Sequence, residues 1–508
     1  MKRKTSAAAL SCIIGLTGVL TACGSNDEQP AATGNAAADT GKPTEISIMS
    51  DYFSPEPPSE QDPIRLEIEK RTNTKLKIDW VSSNNYTDKT NVTLASGDLP
   101  ELLLLRDPFQ AQVRKMADQG AFWDLTPYIK DYKNLSAYPA ESWKNTSLNG
   151  KNYGIPFVRP LYGTEGMPIV RKDWLDQLGL QQPKTLDDMY NVMKAFTEKD
   201  PDGNGKKDTI GLIASVGQYN MGNLGWVESL LNGNYGKWKE QDGKLIDTTF
   251  EPGTRDALLW LKKVYSEGLL APDFPTLKST QVREGITTNK AGIFTEAIKP
   301  TWLLTGQMRA TNPKADLLAL PYLEGPAGKY APKGSGAYGF WVIPKTVKED
   351  KLKKILAFMD YGASEEGSVM ANFGFKGEHY NVQDGMYLFT EKAKSYTGVI
   401  FPIFQSTDKY AFAYQTGIPA DFLKRNMSII DELSKVAKGD PSVGLTSDTQ
   451  NKVGIDYDKR TQDLKIKIIL GREPIEAWDT YIAGLKSDAQ YQKIIAEFND
   501  DYKKRQGK

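Results

Sequence analysis

An Asp-rich loop from Asp200 to Asp208 combines residue types and spacing that suit a metal ion. Side chains with oxygen atoms occupy loop positions 1, 3, 5 and 9, and these are Asp200, Asp202, Asn204 and Asp208. Position 6 is glycine, and Lys206 at position 7 would offer its backbone carbonyl. Hard oxygen ligands at alternate positions around a sharp glycine turn are typical of Ca²⁺ loops. The sequence therefore predicts a structural calcium site rather than a catalytic centre.

The loop departs from a complete calcium motif at position 12. Gly211 stands there instead of the bidentate glutamate of an EF-hand, and residues 209–213 favour a strand. A water molecule or another side chain would have to complete the coordination shell. The alternative is a polar, Asx-rich turn that binds no metal.

Cys23 is the second residue whose chemistry its neighbours indicate. Three basic residues at positions 2–4 precede an apolar run from Ala7 to Leu20. The run is shorter than the roughly 20 apolar residues that span a bilayer, and the pattern indicates a secretory signal. The tetrapeptide Leu20–Cys23 resembles the bacterial lipobox, which implies cleavage before Cys23 and a lipid on its thiol. Localisation would then be at the cell membrane, on its extracytoplasmic face. The alternative is an ordinary signal cleaved elsewhere.

The bulk composition excludes several classes of function. Removal of residues 1–22 leaves 61 Lys+Arg against 64 Asp+Glu, a balance that does not favour nucleic-acid binding. His379 is the single histidine, which argues against a multi-histidine zinc site. About 460 residues beyond the signal and a polar tether at 23–43 suggest two or three domains.

The elements that must position these residues follow an α/β pattern. Strand signals at Ile46–Met49, Leu76–Val81 and Leu102–Leu105 alternate with helix signals at Ile64–Lys70 and Tyr86–Ala95. Such alternation predicts βαβ units and a mostly parallel sheet. Glycine-rich stretches at 163–166 and 325–336 favour crossings between two parts of the chain. Thr185 and Asp188 predict the capped start of the helix that precedes the Asp-rich loop.

The chain resembles bacterial extracellular solute-binding lipoproteins of ABC-type carbohydrate importers, in the branch that takes oligosaccharides. The resemblance covers nearly the whole mature chain. It rests on the lipobox and on residues 96–101, 171–180, 183–185, 200–206, 377–380 and 475–479. Calcium-containing, alginate-oligosaccharide-binding members are similar. Their pattern has an acidic residue after the last aspartate of the loop, where this chain has Thr209.

The resemblance implies a two-lobe fold of the periplasmic-binding-protein type, each lobe a mostly parallel sheet flanked by helices. Lobe 1 is expected at 44–160 plus about 330–395, and lobe 2 at about 161–329 plus 396–508. The cleft between the lobes would bind an oligosaccharide and deliver it to the permease subunits of the transporter. The protein is expected to be a monomer that performs no reaction itself.

Sugars expose hydroxyl groups at their rims and C–H patches on their faces, so polar and aromatic side chains beside turns are the candidate contacts. The predicted ligand-binding residues are Asp51, Tyr52, Arg159, Trp226, Trp302, Tyr338, Trp341 and His379. Packing in the core is the alternative for each aromatic side chain, and a capped loop position is the alternative for His379.

Two other functions compete with an oligosaccharide receptor. A peptide-binding receptor could use the same two-lobe plan. A surface polysaccharide hydrolase would need two carboxylates at a set separation, and the 64 acidic residues leave room for such a pair. However, the sequence contains no Gly-x-Ser-x-Gly elbow, P-loop or His-Glu-x-x-His motif. The sequence thus predicts a binding protein rather than an enzyme.

Overall fold

A computed structural model describes residues 41–52, 56–396 and 400–506. Residues from Pro43 onward belong to one compact unit. The predicted signal and the predicted lipidation site, Cys23, lie outside the described residues. Within the described ranges, no helix is long and apolar enough to cross a membrane.

The strands of the described chain are short. They are β1 (Thr44–Tyr52), β2 (Thr74–Ser82), β3 (Leu102–Leu105), β4 (Gly154–Val158), β5 (Met167–Arg171), β6 (Ile210–Leu212), β7 (Trp238–Gln241), β8 (Lys244–Asp247), β9 (Ala291–Glu296), β10 (Leu317–Ala319), β11 (Leu323–Gly325), β12 (Gly328–Pro332), β13 (Ala337–Val342), β14 (Tyr380–Gln383), β15 (Met386–Phe389) and β16 (Ala437–Lys438).

Helices surround these strands and make up most of the C-terminal part. They are α1 (Pro63–Thr72), α2 (Tyr86–Ser96), α3 (Ala111–Asp118), α4 (Lys133–Ser136), α5 (Ala140–Lys144), α6 (Lys172–Leu178), α7 (Leu186–Glu198), α8 (Gly225–Asn232), α9 (Pro252–Ser266), α10 (Ser279–Thr287), α11 (Pro300–Arg309), α12 (Glu349–Ala363), α13 (Glu365–Phe373), α14 (Ala420–Ser434), α15 (Ile455–Ile469), α16 (Glu476–Ser487) and α17 (Ala489–Arg505).

Two sheets organise the fold, and both are mixed. Sheet A has the order β2-β1-β3-β13-β4; β1 runs parallel to β2 and β3, whereas β13 runs antiparallel to β3 and β4. Sheet B has the order β10-β5-β9-β6, and only its β6–β9 pair is parallel. The predicted α/β class is confirmed, but the prediction of mostly parallel sheets is wrong. Strands that arrive from distant parts of the chain pair antiparallel, and local alternation carries no information about their direction.

Buried apolar residues form four cores. The first surrounds sheet A and includes all four residues of β3, each no more than 1% exposed. The second and third cores cover opposite faces of sheet B, because Val170 belongs to one and Ile169 to the other. The fourth joins β7 and β8 to the C-terminal helices. Buried residues between Phe373 and Met386 belong to the third core, whereas those from Ile400 to Phe404 belong to the first.

Two crossing segments leave and re-enter sheet A side by side. Residues 159–166 connect β4 to β5, and residues 333–336 lead into β13. The amide of Gly334 donates to the carbonyl of Leu161 at 2.8 Å, and the amide of Arg159 donates to the carbonyl of Gly336 at 3.0 Å. The crossings therefore form a hydrogen-bonded pair beside one edge of sheet A.

Candidate functional site

Polar side chains from four strands lie at one edge of sheet A, by which we mean the side where β1, β3 and β4 have their carboxyl ends. Asp51 lies at the end of β1, Arg106 directly follows β3, and Arg159 directly follows β4. Tyr338 lies at the start of β13, which runs in the opposite direction, so it reaches the same edge. Ligand loops of α/β sheets gather at the carboxyl ends of strands. The predicted residues Asp51, Arg159 and Tyr338 are thus brought together, with Tyr52 adjacent in the chain.

Asp51 is 2% exposed and its carboxylate is occupied by neighbouring groups. The Nε of Arg106 donates to Asp51 Oδ2 at 2.9 Å, and its Nη2 forms an ion pair with the same carboxylate. The hydroxyl of Tyr338 also donates to Oδ2, at 2.8 Å. Burial, reinforced by the charge of Asp51, raises the pKa of Tyr338 and keeps it protonated. Asp51 therefore orders this edge of the sheet through Arg106 and Tyr338.

Arg159 lies above the ring of Tyr338, with 4.0 Å between its Cζ and the ring centroid. Its Cζ is also 5.8 Å from the ring centroid of Phe412, and Phe412 packs against the third core, on one face of sheet B. Burial lowers the pKa of Arg159, and the groups of Tyr338, Glu165 and Asp51 oppose that effect. The guanidinium thus projects from sheet A toward a residue on the opposite side.

The corresponding edge of sheet B lies at the carboxyl ends of β6 and β9. The side chain of Asn223 donates to the carbonyl of Thr295 at 3.1 Å, which fixes the loop after β6 against β9. Lys299 follows β9, and its Nζ is 5.5 Å from the centroid of the same Phe412 ring. Burial and then the charge of Arg159 lower the pKa of Lys299 to about 8. Arg159 and Lys299 therefore approach the same ring from different sheets.

Trp226 belongs to a cavity of about 590 Å³ beside the same edge of sheet B. It is 6% exposed and packs edge-to-face on Trp260, with centroids 6.0 Å apart. The cavity lining includes Tyr219, Asn223, Tyr235, Lys237, Asp458 and Gln462. Most of Trp226 is therefore held by packing, and its remaining surface lies in a polar cavity.

A larger groove of about 950 Å³ lies elsewhere, along α7, α14 and β10. Its Arg425 is paired with Asp316 through two contacts of 2.7 Å. Because the groove runs along the outer strand of sheet B rather than at the carboxyl ends of β6 and β9, and its arginine is already paired, the sheet edges at Arg159 and Lys299 are the better candidate site.

Trp341 and His379 require corrections to the sequence prediction. Trp341 is 0% exposed in the first core, where it packs on Phe157 at 5.6 Å, so no ring face is left for a sugar. His379 is 2% exposed, and its Nδ1 accepts the amide hydrogen of Phe375 at 3.0 Å. Trp341 is thus a core residue and His379 a loop-ordering residue.

Trp302 lies on α11 and is partly buried in the third core. Its ring packs edge-to-face on Phe422 at 5.1 Å and has the Arg309 guanidinium 5.3 Å from its centroid. These contacts orient the ring without burying it completely, so its contact with a ligand stays a prediction.

The Asp-rich loop connects α7 to β6, as the sequence indicates. Thr185 and Asp188 form the predicted capping box at the start of α7. Gly205, at loop position 6, has φ +78°, which favours glycine. The Asn204 side-chain amide donates to Asp202 at 2.9 Å and to Asp208 at 3.1 Å, while the Gly205 amide donates to Asp200 at 2.9 Å.

The donor set of this loop fits the chemistry of a hard cation. Three carboxylates converge on Asn204, and Lys206 donates its amide to the Asn204 side-chain oxygen at 2.8 Å. Burial and a hydrogen bond with Asp200 raise the pKa of Asp202, as expected for crowded carboxylates. Nevertheless, the described residues contain no assembled group of three or more His, Cys, Asp or Glu side chains that could hold a metal. The hydroxyl of Thr209 points away from the role of a metal ligand, because it donates a hydrogen bond to the Phe196 carbonyl at 2.7 Å.

Sequence reasoning missed Arg106, Lys299 and Phe412. Arg106 directly follows β3 and Lys299 lies three residues after β9, so the rule that selected Asp51 could also have selected them. Phe412 lies in the stretch 410–414, where aromatic residues alternate with alanine. Only the tertiary structure shows that both Arg159 and Lys299 approach its ring.

The chain matches a family model and two relatives of known name. Residues 54–369 match a family model described as bacterial extracellular solute-binding protein. The chain is 34% identical to "Lipoprotein LipO" of Bacillus subtilis over 455 residues, covering 88% of this chain and 90% of LipO. It is also 34% identical to "Polygalacturonan/rhamnogalacturonan-binding protein YtcQ" of the same organism over 499 residues, covering 97% of each.

Solved structures support the fold. A structure described as an HMO-binding, ABC-transporter-associated solute-binding protein from Bifidobacterium longum infantis has a TM-score of 0.72 at 18% identity, covering 91% of this chain and 99% of that chain. "Alginate-binding protein AlgQ2 without calcium ion" has a TM-score of 0.66 at 21% identity, with coverage of 91% and 99%. An EF-hand mutant of the Streptococcus pneumoniae substrate-binding protein FusA has a TM-score of 0.67 at 20% identity, with coverage of 91% and 100%.

Proposed function

We propose a function from one premise: the chain belongs to the bacterial extracellular solute-binding protein family. It acts as the oligosaccharide receptor of an ABC importer, capturing its ligand between sheets A and B and delivering it to the permease. It performs no reaction on the sugar. Support comes from relatives named for binding polygalacturonan, rhamnogalacturonan and fructooligosaccharide.

The observation that carries this proposal is the meeting of two sheet edges at Phe412. Arg159 from sheet A and Lys299 from sheet B both approach this ring. A ligand bound here would contact both sides of the fold and would therefore favour the closed arrangement, because it binds that state better. The lobes we propose follow the predicted boundaries with two exceptions. Segment 373–389 is assigned to lobe 2, because its buried residues belong to the third core. Segment 400–404 is assigned to lobe 1, because its buried residues belong to the first core.

Calcium at the Asp-rich loop is a second part of the proposal. Asp200, Asp202, Asn204 and Asp208 would offer side-chain oxygens, and Lys206 its carbonyl. The ion would neutralise crowded carboxylates and fasten the end of α7 to the start of β6. Two structural neighbours have titles that mention a calcium ion or an EF-hand.

The predicted anchor completes the proposal. Lipidation at Cys23 would hold a monomer on the extracytoplasmic face of the cell membrane, with residues 24–43 as a tether. The relative named as a lipoprotein supports this placement. Radiolabelled palmitate should enter the wild-type chain in cells and should be lost in the Cys23→Ala variant.

A thermal-shift screen tests the receptor function directly. The chain from Gly24 onward contains the whole compact unit and would be mixed with neutral and acidic oligosaccharides, with and without EDTA. A sugar present at 100 times its Kd should stabilise the protein by about 2.7 kcal/mol. Intact sugar after the experiment supports a receptor, whereas cleaved sugar would indicate a hydrolase. If no sugar raises the melting temperature, the receptor proposal fails for carbohydrates. A fall with EDTA alone would support the calcium site.

A further inference from the structure

Arg159 and Lys299 form what we call the cation pair. Arg159 comes from the end of β4 in sheet A, and Lys299 comes from the segment after β9 in sheet B. Each has its charged group within 6 Å of the Phe412 centroid, at 5.8 Å and 5.5 Å. Both side chains are partly buried. Two like charges from different sheets therefore approach the same ring, and they are near enough to act on each other.

The nearby carboxylates are committed to other partners. Asp51 accepts hydrogen bonds from Arg106 and Tyr338. Glu165 accepts a hydrogen bond from the hydroxyl of Tyr235 at 2.6 Å. Asp408 lines a small cavity with Lys299, but its carboxylate accepts the amide hydrogen of Tyr410 at 2.8 Å. Among the described residues, no carboxylate lies within salt-bridge distance of either member of the cation pair, and Glu165 and Asp51 act on Arg159 only from a longer distance.

Such an arrangement is unfavourable without an anion. Partial burial removes hydration from both charges, and mutual repulsion adds to that cost. The ring of Tyr338 offers Arg159 a cation–π contact at 4.0 Å, but a ring cannot replace a counterion. A protein that folds solely for stability would place a carboxylate or an apolar side chain here. The pair is therefore suited to an anion that arrives with the ligand.

We propose that the cation pair binds the carboxylate of a uronic acid unit, so that the receptor selects acidic oligosaccharides. This inference rests on the proposed receptor function and narrows its ligand class. The carboxylate accepts hydrogen bonds from Arg159 of sheet A and from Lys299 of sheet B. The partly exposed ring of Phe412 covers the apolar face of the sugar. Because one anion neutralises charges on both sides of the cleft, it stabilises the closed arrangement.

Calorimetric titration with matched sugars tests this inference. The probes are trigalacturonate, triglucuronate and trimannuronate, their methyl esters, and neutral and sulfated trisaccharides. At least one uronate should bind, and its methyl ester should bind about tenfold or more weakly, because charge-assisted hydrogen bonds are lost. Equal affinity for a uronate and its ester would overturn the inference. So would preferred binding of the sulfated trisaccharide, which would identify a sulfate site.

Variants assign the effect to the two residues. Arg159→Gln and Lys299→Gln should each weaken uronate binding about tenfold to a hundredfold while changing ester binding less than about threefold. Arg159→Lys should retain more affinity than Arg159→Gln, and Lys314→Gln, an exposed position just after α11, is the matched control. Unliganded melting temperatures identify any variant that fails to fold.

The outcomes separate this inference from the proposed function. Binding of neutral sugars without uronates, or uronate binding unaffected by both substitutions, overturns the inference and leaves an oligosaccharide receptor. Absence of binding to every sugar tested removes the proposed function itself. Selective loss of uronate binding in both variants supports the two together.

Discussion

Two arginines at one edge of sheet A lie beside the same tyrosine ring but differ in the charges around them. Both approach the ring of Tyr338, Arg106 at 5.4 Å and Arg159 at 4.0 Å from its centroid. Arg106 is paired with Asp51, whereas Arg159 approaches the ring of Phe412 together with Lys299. The difference shows that two arginines beside the same ring can differ in whether a carboxylate is paired with them, and only Arg159 is proposed to contact a ligand.

The largest expected effect is on stability and comes from breaking the Asp51–Arg106 pair. Asp51→Asn keeps the shape of the side chain but removes the charge that Arg106 and Tyr338 contact. We expect the free energy of unfolding to fall by about 2–3 kcal/mol, since one partner of a mostly buried pair is lost. Urea denaturation measures this change.

The exposed neighbour Asp107 supplies the control for that experiment. Asp107→Asn should change the free energy of unfolding by less than about 0.5 kcal/mol, as is usual for surface substitutions. If both substitutions have equal effects, the Asp51–Arg106 pair does not order the edge.

The pH dependence of uronate binding tests the other side of the comparison, the proposed role of Lys299 beside Arg159. Lys299 has a pKa of about 8, whereas Arg159 and a uronate carboxylate keep their charges from pH 7 to pH 9. Raising the pH through 8 removes the lysine proton, so the Kd should increase up to about tenfold by pH 9. Calorimetry across this range, with a methyl ester as the uncharged control, checks the prediction. A flat profile would argue against a role for Lys299.

Lys299→Met should stabilise the ligand-free protein while it impairs uronate binding. The folded state lowers the pKa of Lys299 from 10.5 to about 8, so the unfolded chain binds its proton more tightly. That penalty is full below pH 8 and disappears as the pH rises toward 10.5. At pH 7 the substitution should add about 1 kcal/mol to the free energy of unfolding. Decreased stability at pH 7 would show that the lysine is compensated within the fold.

The smallest expected effect is on stability and comes from a change in Tyr338, whose ring both arginines approach. Tyr338→Phe keeps the ring but removes the hydroxyl that donates to Asp51 at 2.8 Å. The free energy of unfolding should fall by about 1 kcal/mol, and uronate affinity should change less than about threefold. A large loss of affinity in titrations would instead place the hydroxyl on the ligand.

Local chemistry in the sequence was sufficient for several features. The capping box of Thr185 and Asp188, the helix that follows it and the buried strand Leu102–Leu105 depend on neighbours within a few residues. The α/β class follows from the same local periodicities. The sequence points to Asp51 because it follows the first strand, and to Arg159 and Tyr338 because they flank the predicted crossings.

Only the tertiary structure decided which way the strands run and which charges find partners. β13 joins sheet A after a long excursion and pairs antiparallel, a direction that no local pattern encodes. Trp226 and Trp341 look alike in sequence, yet one borders a cavity and the other is fully buried. Arg106 meets Asp51 from 55 residues away. Burial and charge pairing depend on contacts between distant segments, so the sequence determined the candidate residues and the folded arrangement selected among them.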